Sequence, residues 1–239
     1  MVPVLASTKG NIVYVYPNAQ MSILEFLNER KNTKTIMKKV SGECGDGIYL
    51  IEWLQDEFTV NHKKMEMDEF ISEISEAEYI IQDFIEQHEA LRMINPSCVN
   101  TIRFVTISVN NGIHYFAHFL RFGVGESVND NRATGGYAVN ISDQGKLDSL
   151  AIGHNNSIKE HPNTGVIFEG YQLPFWEETK KLVTKAHEQL KDIKSIGWDI
   201  AITSRGPVLL EGNDNWEICG PQDMEGGLKA RWKEFHNKG

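Results

Sequence analysis

Two carboxylates and an amide oxygen, Asp199, Glu211 and Asn213, lie in the stretch SIGWDIAITSRGPVLLEGNDN, residues 195–215. Apolar-rich runs at 196–203 and 207–212 flank Ser204-Arg205-Gly206, with glycine where a three-residue hairpin loop wants a left-handed residue. The stretch reads as a β-hairpin. With that loop Thr203 sits opposite Pro207, so Ile202 faces Val208, Ile200 faces Leu210, and Asp199 faces Glu211. Side chains alternate between faces, so Ile200, Ile202, Val208 and Leu210 line an apolar side while Asp199, Glu211 and Asn213 converge on the other. Like charges directly opposite one another are destabilising, and a cation between them relieves the repulsion. Mg²⁺ takes oxygen ligands of this kind, one or two carboxylates together with substrate phosphates. A solvated polar face is the alternative, and a two-residue turn would put Asp199 and Glu211 on opposite faces.

Four further constellations could carry chemistry. Lys38 ends a β-patterned run and precedes Gly42, Gly45 and Gly47, where a bare backbone can approach a phosphate chain closely. Lys39 competes for the same role, and the loop taken alone is equally a hairpin tip. No helix with Lys-Ser/Thr follows, so this is not a Walker loop. The run Gln82, Asp83, Phe84 and Ile85 can offer an adenine backbone hydrogen bonds and an apolar slot, or can be an ordinary buried strand. Arg103 and Arg121 interrupt apolar strands, and a buried guanidinium needs an anion, either a structural carboxylate or a bound phosphate. Asn131 opens NRATGG, a loop able to help hold metal or phosphate or simply to lie on the surface. The histidines show no metal-ligand spacing. Cys44, Cys98 and Cys219 are too scattered for a zinc site or a disulfide frame.

The elements that must position these groups are mixed. Strands are expected at 11–16, 34–41, 48–54, 58–65, 100–109, 113–122, 137–141 and 147–152, with 79–85 an apolar run. Helices are expected at 21–30, 68–77, 175–190 and 227–236, with loops at 122–136 and 160–174. Strands and helices do not alternate strictly, which favours an α+β arrangement over a doubly wound parallel sheet.

The chain has 239 residues, of which 41% are hydrophobic and 24% charged, so a sizeable core is within reach. A net charge of −9 argues against nucleic acid as a partner. No apolar run is long enough for a membrane span and no signal peptide is evident, so a cytoplasmic location is expected.

Taken in order, IMK with SGECGDG, YIIQDFI, NTIRFVTI, AHFLR with DNRATGG, and GWDIAI with VLLEGN resemble the ATP-grasp superfamily over residues 34–216. DNRATGG, HPNTG and GWDIAI followed by VLLEGN are most similar to its sugar-transfer associated branch, found among cell-surface polysaccharide genes. The resemblance implies two α+β subdomains, residues 1–80 and 81–239, that clamp ATP. It assigns Lys38 to the phosphates, the lid to Gly42, Gly45 and Gly47, the adenine linker to Gln82, Asp83, Phe84 and Ile85, and Mg²⁺ to Asp199, Glu211 and Asn213. Arg103, Arg121 and Asn131 match positions that in related ligases lie near the γ-phosphate and the acyl intermediate.

The implied chemistry is ATP-dependent joining of a small-molecule carboxylate to an amine through an acyl phosphate. A kinase of the same fold and a nucleotide-binding subunit without turnover are the alternatives. Two features depart from the pattern. Lys39 stands where many members have proline, and members usually carry an additional domain before the nucleotide lobes, whereas here the strand preceding Lys38 begins only at about residue 11; either this branch is short, the sequence is a piece of a longer one, or a homo-oligomer or partner protein supplies that wall of the site.

Overall fold

The computed structural model describes residues 2–41, 47–55, 57–110, 112–225 and 227–236. Gly42, Cys44 and Gly45 lie outside the described residues. The chain divides into two compact units, Val2–Ile85 and Glu86–Gly239. Among the described residues no helix is long and apolar enough to cross a membrane.

The first unit runs β1 Ala6–Lys9, β2 Ile12–Val15, β3 Ala19–Ser22, α1 Ile23–Glu29, β4 Lys34–Lys39, β5 Ile48–Leu54, β6 Glu57–Val60, β7 Lys63–Lys64, α2 Met67–Ile74 and β8 Tyr79–Asp83. Its eight-stranded antiparallel sheet has the order β3-β2-β1-β8-β4-β5-β6-β7. Helix α1 begins later than its apolar pattern because Ser22 caps it: the Glu25 amide donates to Ser22 Oγ at 3.2 Å and the Ser22 amide donates to Glu25 Oε2 at 2.8 Å. The strand expected at 58–65 is instead the pair β6 and β7, since Asn61 and His62 both take positive φ and turn the chain back. Phe26, Leu27, Phe70 and Ile74 of the helices pack with Met37, Ile51, Tyr79 and Ile81 of the sheet.

The second unit runs α3 Glu89–Ile94, β9 Thr101–Val109, β10 Gly112–Phe122, a 3₁₀ turn Arg132–Thr134, β11 Tyr137–Ile141, β12 Leu147–Ile152, β13 Ser157–Ile158, α4 Trp176–Glu188, β14 Ser195–Thr203, β15 Gly206–Asn213, α5 Cys219–Glu225 and α6 Lys229–His236. Its seven strands follow the order β13-β12-β11-β10-β9-β14-β15, again antiparallel throughout. One face buries Ile102, Phe104, Leu120, Phe122, Trp198 and Ile200 against α3 and α4. Polar groups inside this core are bonded to one another: Trp198 Nε1 donates to Thr106 Oγ1 at 2.8 Å, and His187 bonds Thr106 Oγ1 at 2.7 Å and the Ile193 carbonyl at 2.9 Å, three polar side chains joined in one network. On the opposite face Val105, Ile107, Phe116 and Leu228 form a smaller apolar patch with Trp216 beside it. Arg103, Arg121 and Asp199 lie on that same face.

His161, first residue of HPNTG, is buried: Nδ1 accepts from the Asn163 amide at 3.3 Å and the Thr164 amide at 3.4 Å, so Nε2 is the donor to the Gly123 carbonyl at 3.0 Å. Burial pushes its pKa down, outweighing the bond to Gly123. Below about pH 6.5 the unfolded chain therefore takes up a proton that the folded chain refuses, and stability falls as pH drops through that value. The loss of unfolding midpoint between about pH 7.5 and about pH 5.5 should be larger in the parent protein than in His161→Asn; equal losses would remove His161 from the pH response.

Gly197 of β14 lies on the charged face, where a Cβ would stand 2.6 Å from Trp216 Cβ and 3.4 Å from Arg103 Cδ. Gly197→Ala should lower the stability measured by denaturant unfolding by roughly 1–3 kcal/mol, the range for overpacking a tight contact. An unchanged midpoint would mean that Trp216 gives way freely.

Candidate active site

The hairpin of β14 and β15 reaches its expected pairing by an unexpected route. Thr203 pairs with Gly206 and Ile202 with Pro207, so Ser204 and Arg205 alone form the turn. Gly206 carries φ 115°, a value that favours glycine. On that register Asp199 would face Leu210 and Glu211 would project from the other side of the sheet. A β-bulge takes up one residue: Ile200 pairs with Leu209, Asp199 with Glu211 and Gly197 with Asn213. The apolar side is corrected accordingly. Ile200 and Ile202 are buried as expected, but Leu209 joins them in the core, while Val208 and Leu210 are only half-buried.

Paired residues share a face, so one rung crosses five strands as Asn140, Phe119, Arg103, Asp199 and Glu211. The next rung sets Arg121 opposite Thr101. Arg103 grips Asp199 with Nε at 2.5 Å from Oδ1 and Nη2 at 3.1 Å from Oδ2, while Arg121 Nη2 lies 2.9 Å from Oδ2. The side chains are 12%, 15% and 6% exposed for Arg103, Arg121 and Asp199. Of the two anions foreseen for the arginines, the protein supplies the carboxylate. Burial disfavours the Asp199 charge, but Arg121 and Arg103 outweigh it and hold its pKa below the usual carboxylate range.

Two members of this cluster escaped the sequence. Asp130 Oδ2 accepts from the Thr101 amide at 2.9 Å and from Thr101 Oγ1 at 2.5 Å, and lies 3.8 Å from Arg121 Nε. Thr101 Oγ1 in turn accepts from Arg121 Nε at 3.0 Å and Nη2 at 2.7 Å. Burial opposes the Arg121 charge, yet Asp130 and Asp199 outweigh it and raise its pKa above the ordinary arginine value. Asn131, the residue singled out in this loop, caps the 3₁₀ turn by accepting from the Ala133 amide at 2.9 Å. Its neighbour Asp130 is the one bonded into the cluster.

Glu211 is exposed and takes a hydrogen bond from Asn213 Nδ2 at 3.2 Å, which leaves the Asn213 oxygen uncommitted by that contact. Among the described residues there is no cluster of three or more His, Cys, Asp or Glu side chains of metal-binding kind. The set here is two carboxylates and an amide. All are hard oxygen donors, Glu211 and the Asn213 oxygen keep acceptor positions that the bond between them does not use, Asp199 Oδ1 keeps one beside Arg103 Nε, and the cluster sets three carboxylates, Asp130, Asp199 and Glu211, against two guanidiniums. A divalent cation fits both the chemistry and the charge.

In the first unit Lys38 and Gln82 project from the same face of the sheet, since Lys38 pairs with Ile80 and Ile36 with Gln82. Lys39 projects from the other face, paired with buried Tyr79 and with its stem packed over Gly47, where a Cβ would stand 2.6 Å from Lys39 Cβ. Alternation thus separates two lysines that the sequence could not. Gln82 is buried with its amide donating to the Val2 carbonyl at 3.2 Å, and exposed Asp83 is ion-paired to Arg30. The Phe84 amide donates to the Lys34 carbonyl at 3.2 Å, and β1 pairs with β8 only at Ile80 and Ile81. Phe84 and Ile85 are half-buried. Cys98 is buried with its thiol pKa pushed up to about 12, chiefly by burial, which makes it a poor nucleophile.

A profile of sugar-transfer associated ATP-grasp proteins matches residues 8–237. No curated protein sequence matches the chain. Among solved structures, N5-carboxyaminoimidazole ribonucleotide synthetase (PurK) in complex with ADP aligns with a TM-score of 0.50 at 10% identity, covering 92% of this chain and 42% of that one. D-alanine–D-alanine ligase from Bacillus anthracis complexed with ATP gives 0.37 at 13% identity, covering 80% and 45%. Macrocyclase MdnC bound with precursor peptide MdnA, from Microcystis aeruginosa MRC, gives 0.37 at 14%, covering 90% and 51%. The chain spans less than half the length of the first two and about half of the third. At such identities the likeness concerns the fold. Since the profile runs through both sheets, from β1 into α6, the chain belongs to the sugar-transfer associated ATP-grasp family and its α+β fold is an ATP-grasp fold.

Proposed function

We propose that this protein is an ATP- and Mg²⁺-dependent carboxylate–amine ligase that works through an acyl phosphate. The observation that carries the reading is the shared Asp199 carboxylate, held by Arg103 and Arg121 and set opposite Glu211 with Asn213 beside it. Asp199, Glu211 and Asn213 would hold the metal, which when bound offsets charge on the triphosphate. Lys38 would contact the phosphates, and the backbone of Gln82, Asp83, Phe84 and Ile85 the adenine, because the Gln82 side chain is already engaged with Val2. Gly42, Gly45 and Gly47 would lie over the phosphates.

In the first step a substrate carboxylate oxygen bonds to the γ-phosphorus and ADP leaves with the electrons of the cleaved P–O bond. In the second the amine attacks the acyl carbon, phosphate departs with the C–O bond pair, and the amine proton passes to solvent. Neither step needs a side-chain nucleophile. Arg103 and Arg121 are fixed in advance by Asp199, Thr101 and Asp130, so they can offset developing negative charge without reorganising. Asn131, held in its turn by the Ala133 amide, would border the acyl group. The family description, sugar-transfer associated, favours a sugar acid or a similar small metabolite as the carboxylate, in cell-surface polysaccharide assembly.

The test is ADP release from ATP and Mg²⁺ with panels of carboxylates and amines, hydroxylamine serving as the trap. Release needing both partners, with a hydroxamate formed in the trap, is the expected result; a stable phosphorylated product that hydroxylamine does not intercept would make the protein a kinase. Glu211→Gln should cut this turnover by about 100-fold or more with little change in unfolding midpoint, because Glu211 is exposed. Unaltered rates would show that Glu211 does not bind the metal.

A further inference from the structure

Arg132, in the 3₁₀ turn after β10, has no part in the reaction described above. Its side chain is 16% exposed, and Nη2 reaches Asp223 Oδ2 of α5 at 2.8 Å and the Gly153 carbonyl at 3.4 Å. Its Nε and Nη1 are closed off from solvent without any hydrogen-bond partner. A guanidinium presents five N–H donors in a planar fork that matches the two oxygens of a carboxylate or phosphate. In this structure one carboxylate oxygen meets one nitrogen, and the remainder of the fork is idle. Buried donors are nearly always satisfied in native proteins, so two idle nitrogens on one charged group call for an ion, a water or a function.

The position of the fork narrows the choice. Nη1 lies beside Gly220, where a Cβ would stand 3.6 Å from Nη1 and 3.2 Å from Phe119 Cζ. Phe119 pairs with Arg103, which pairs with Asp199. Arg132 is thus one aromatic ring away from the ion-pair cluster within the same unit. Arg103 and Arg121 are committed to Asp199 and Thr101, whereas Arg132 has donors to spare. Its present partner is loosely held: Asp223 is 47% exposed on a short helix and engages Nη2 alone.

We propose that Arg132 recognises an oxyanion of the substrate, a carboxylate or a phosphate, and that Asp223 keeps its place until the substrate arrives. An incoming oxyanion binds Nη2 together with Nη1 or Nε, satisfying donors that Asp223 leaves idle, while the Asp223 side chain turns out to water. The proposal rests on the ligase reading only for the word substrate; capture of a bare oxyanion does not depend on it.

The experiment is calorimetric titration of inorganic phosphate, and separately of succinate, into the full chain without nucleotide in a chloride-free buffer. Asp223→Asn removes the competing charge and should tighten binding by about threefold or more, a gain that misfolding cannot produce. Arg132→Ala should weaken it by about tenfold, and Arg132→Lys, which keeps the charge but loses the fork, should weaken it similarly. Tighter phosphate than succinate marks a phosphorylated substrate, and the reverse order a carboxylate. Unchanged or weaker binding in a folded Asp223→Asn, or oxyanion binding indifferent to both Arg132 variants, overturns the proposal and leaves the Arg132–Asp223 pair as a tether for α5. If these responses hold while no carboxylate and amine pair elicits ADP release, the Arg132 site stands and the ligase reading falls.

Discussion

A carboxylate removed from water within a sheet must be compensated, and Asp199 is compensated by two guanidiniums, Arg103 from the adjacent strand β9 and Arg121 from β10 beyond it. Leaving one partner of such a buried pair alone costs about 3–5 kcal/mol, which ties the order of β10, β9 and β14 to the charged cluster as firmly as to the apolar core beneath. Each strand serves both at once. Ile102, Phe104, Trp198 and Ile200 fill one side, and Thr101, Arg103 and Asp199 occupy the other. The buttress continues outward through Thr101 to Asp130, so Arg121 is held between Asp199 on one side and Thr101 with Asp130 on the other. Fixed charge of this sort stabilises a transition state without being reordered by it.

Much of this was legible in the order of residues, though not for the reasons the pattern suggested. Opposition of Asp199 and Glu211 follows from a three-residue loop on paper and from a two-residue turn plus a bulge in the molecule. Period-two alternation tells which residues share a face but does not count the residues a bulge absorbs, and Leu210 has no composition that marks it as extra. The same blindness exchanged Leu209 for Val208 and Leu210 on the apolar side. Short strands were missed for another reason. Ala6–Lys9 and Ala19–Ser22 are four residues each, too brief for a periodic signal, and are held by their neighbours rather than by propensity.

Polar networks were the least legible feature. Nothing about Asp130 in the run NDNRATGG distinguishes it from Asn131, since its role depends on a backbone amide and hydroxyl of Thr101 far away in sequence. Arg132 looks like any loop arginine until its neighbours are seen to leave most of its donors unused. By contrast Lys38 and Lys39, ambiguous in sequence, separate cleanly once the pairing of β4 with β8 fixes which lysine shares a face with Gln82.

The central claim is that the acidic set on β14 and β15, steadied by the two arginines, is where a metal-bound triphosphate is held. A crystal structure with Mg²⁺ and a non-hydrolysable ATP analogue tests it most directly. Metal–oxygen distances of about 2.0–2.1 Å to Asp199, Glu211 and Asn213, with the γ-phosphate within hydrogen-bond reach of Arg103 and Arg121 where Asp199 holds them, are the predicted result. Nucleotide bound elsewhere, with no phosphate oxygen near either guanidinium and Glu211 in contact with bulk water alone, would contradict it.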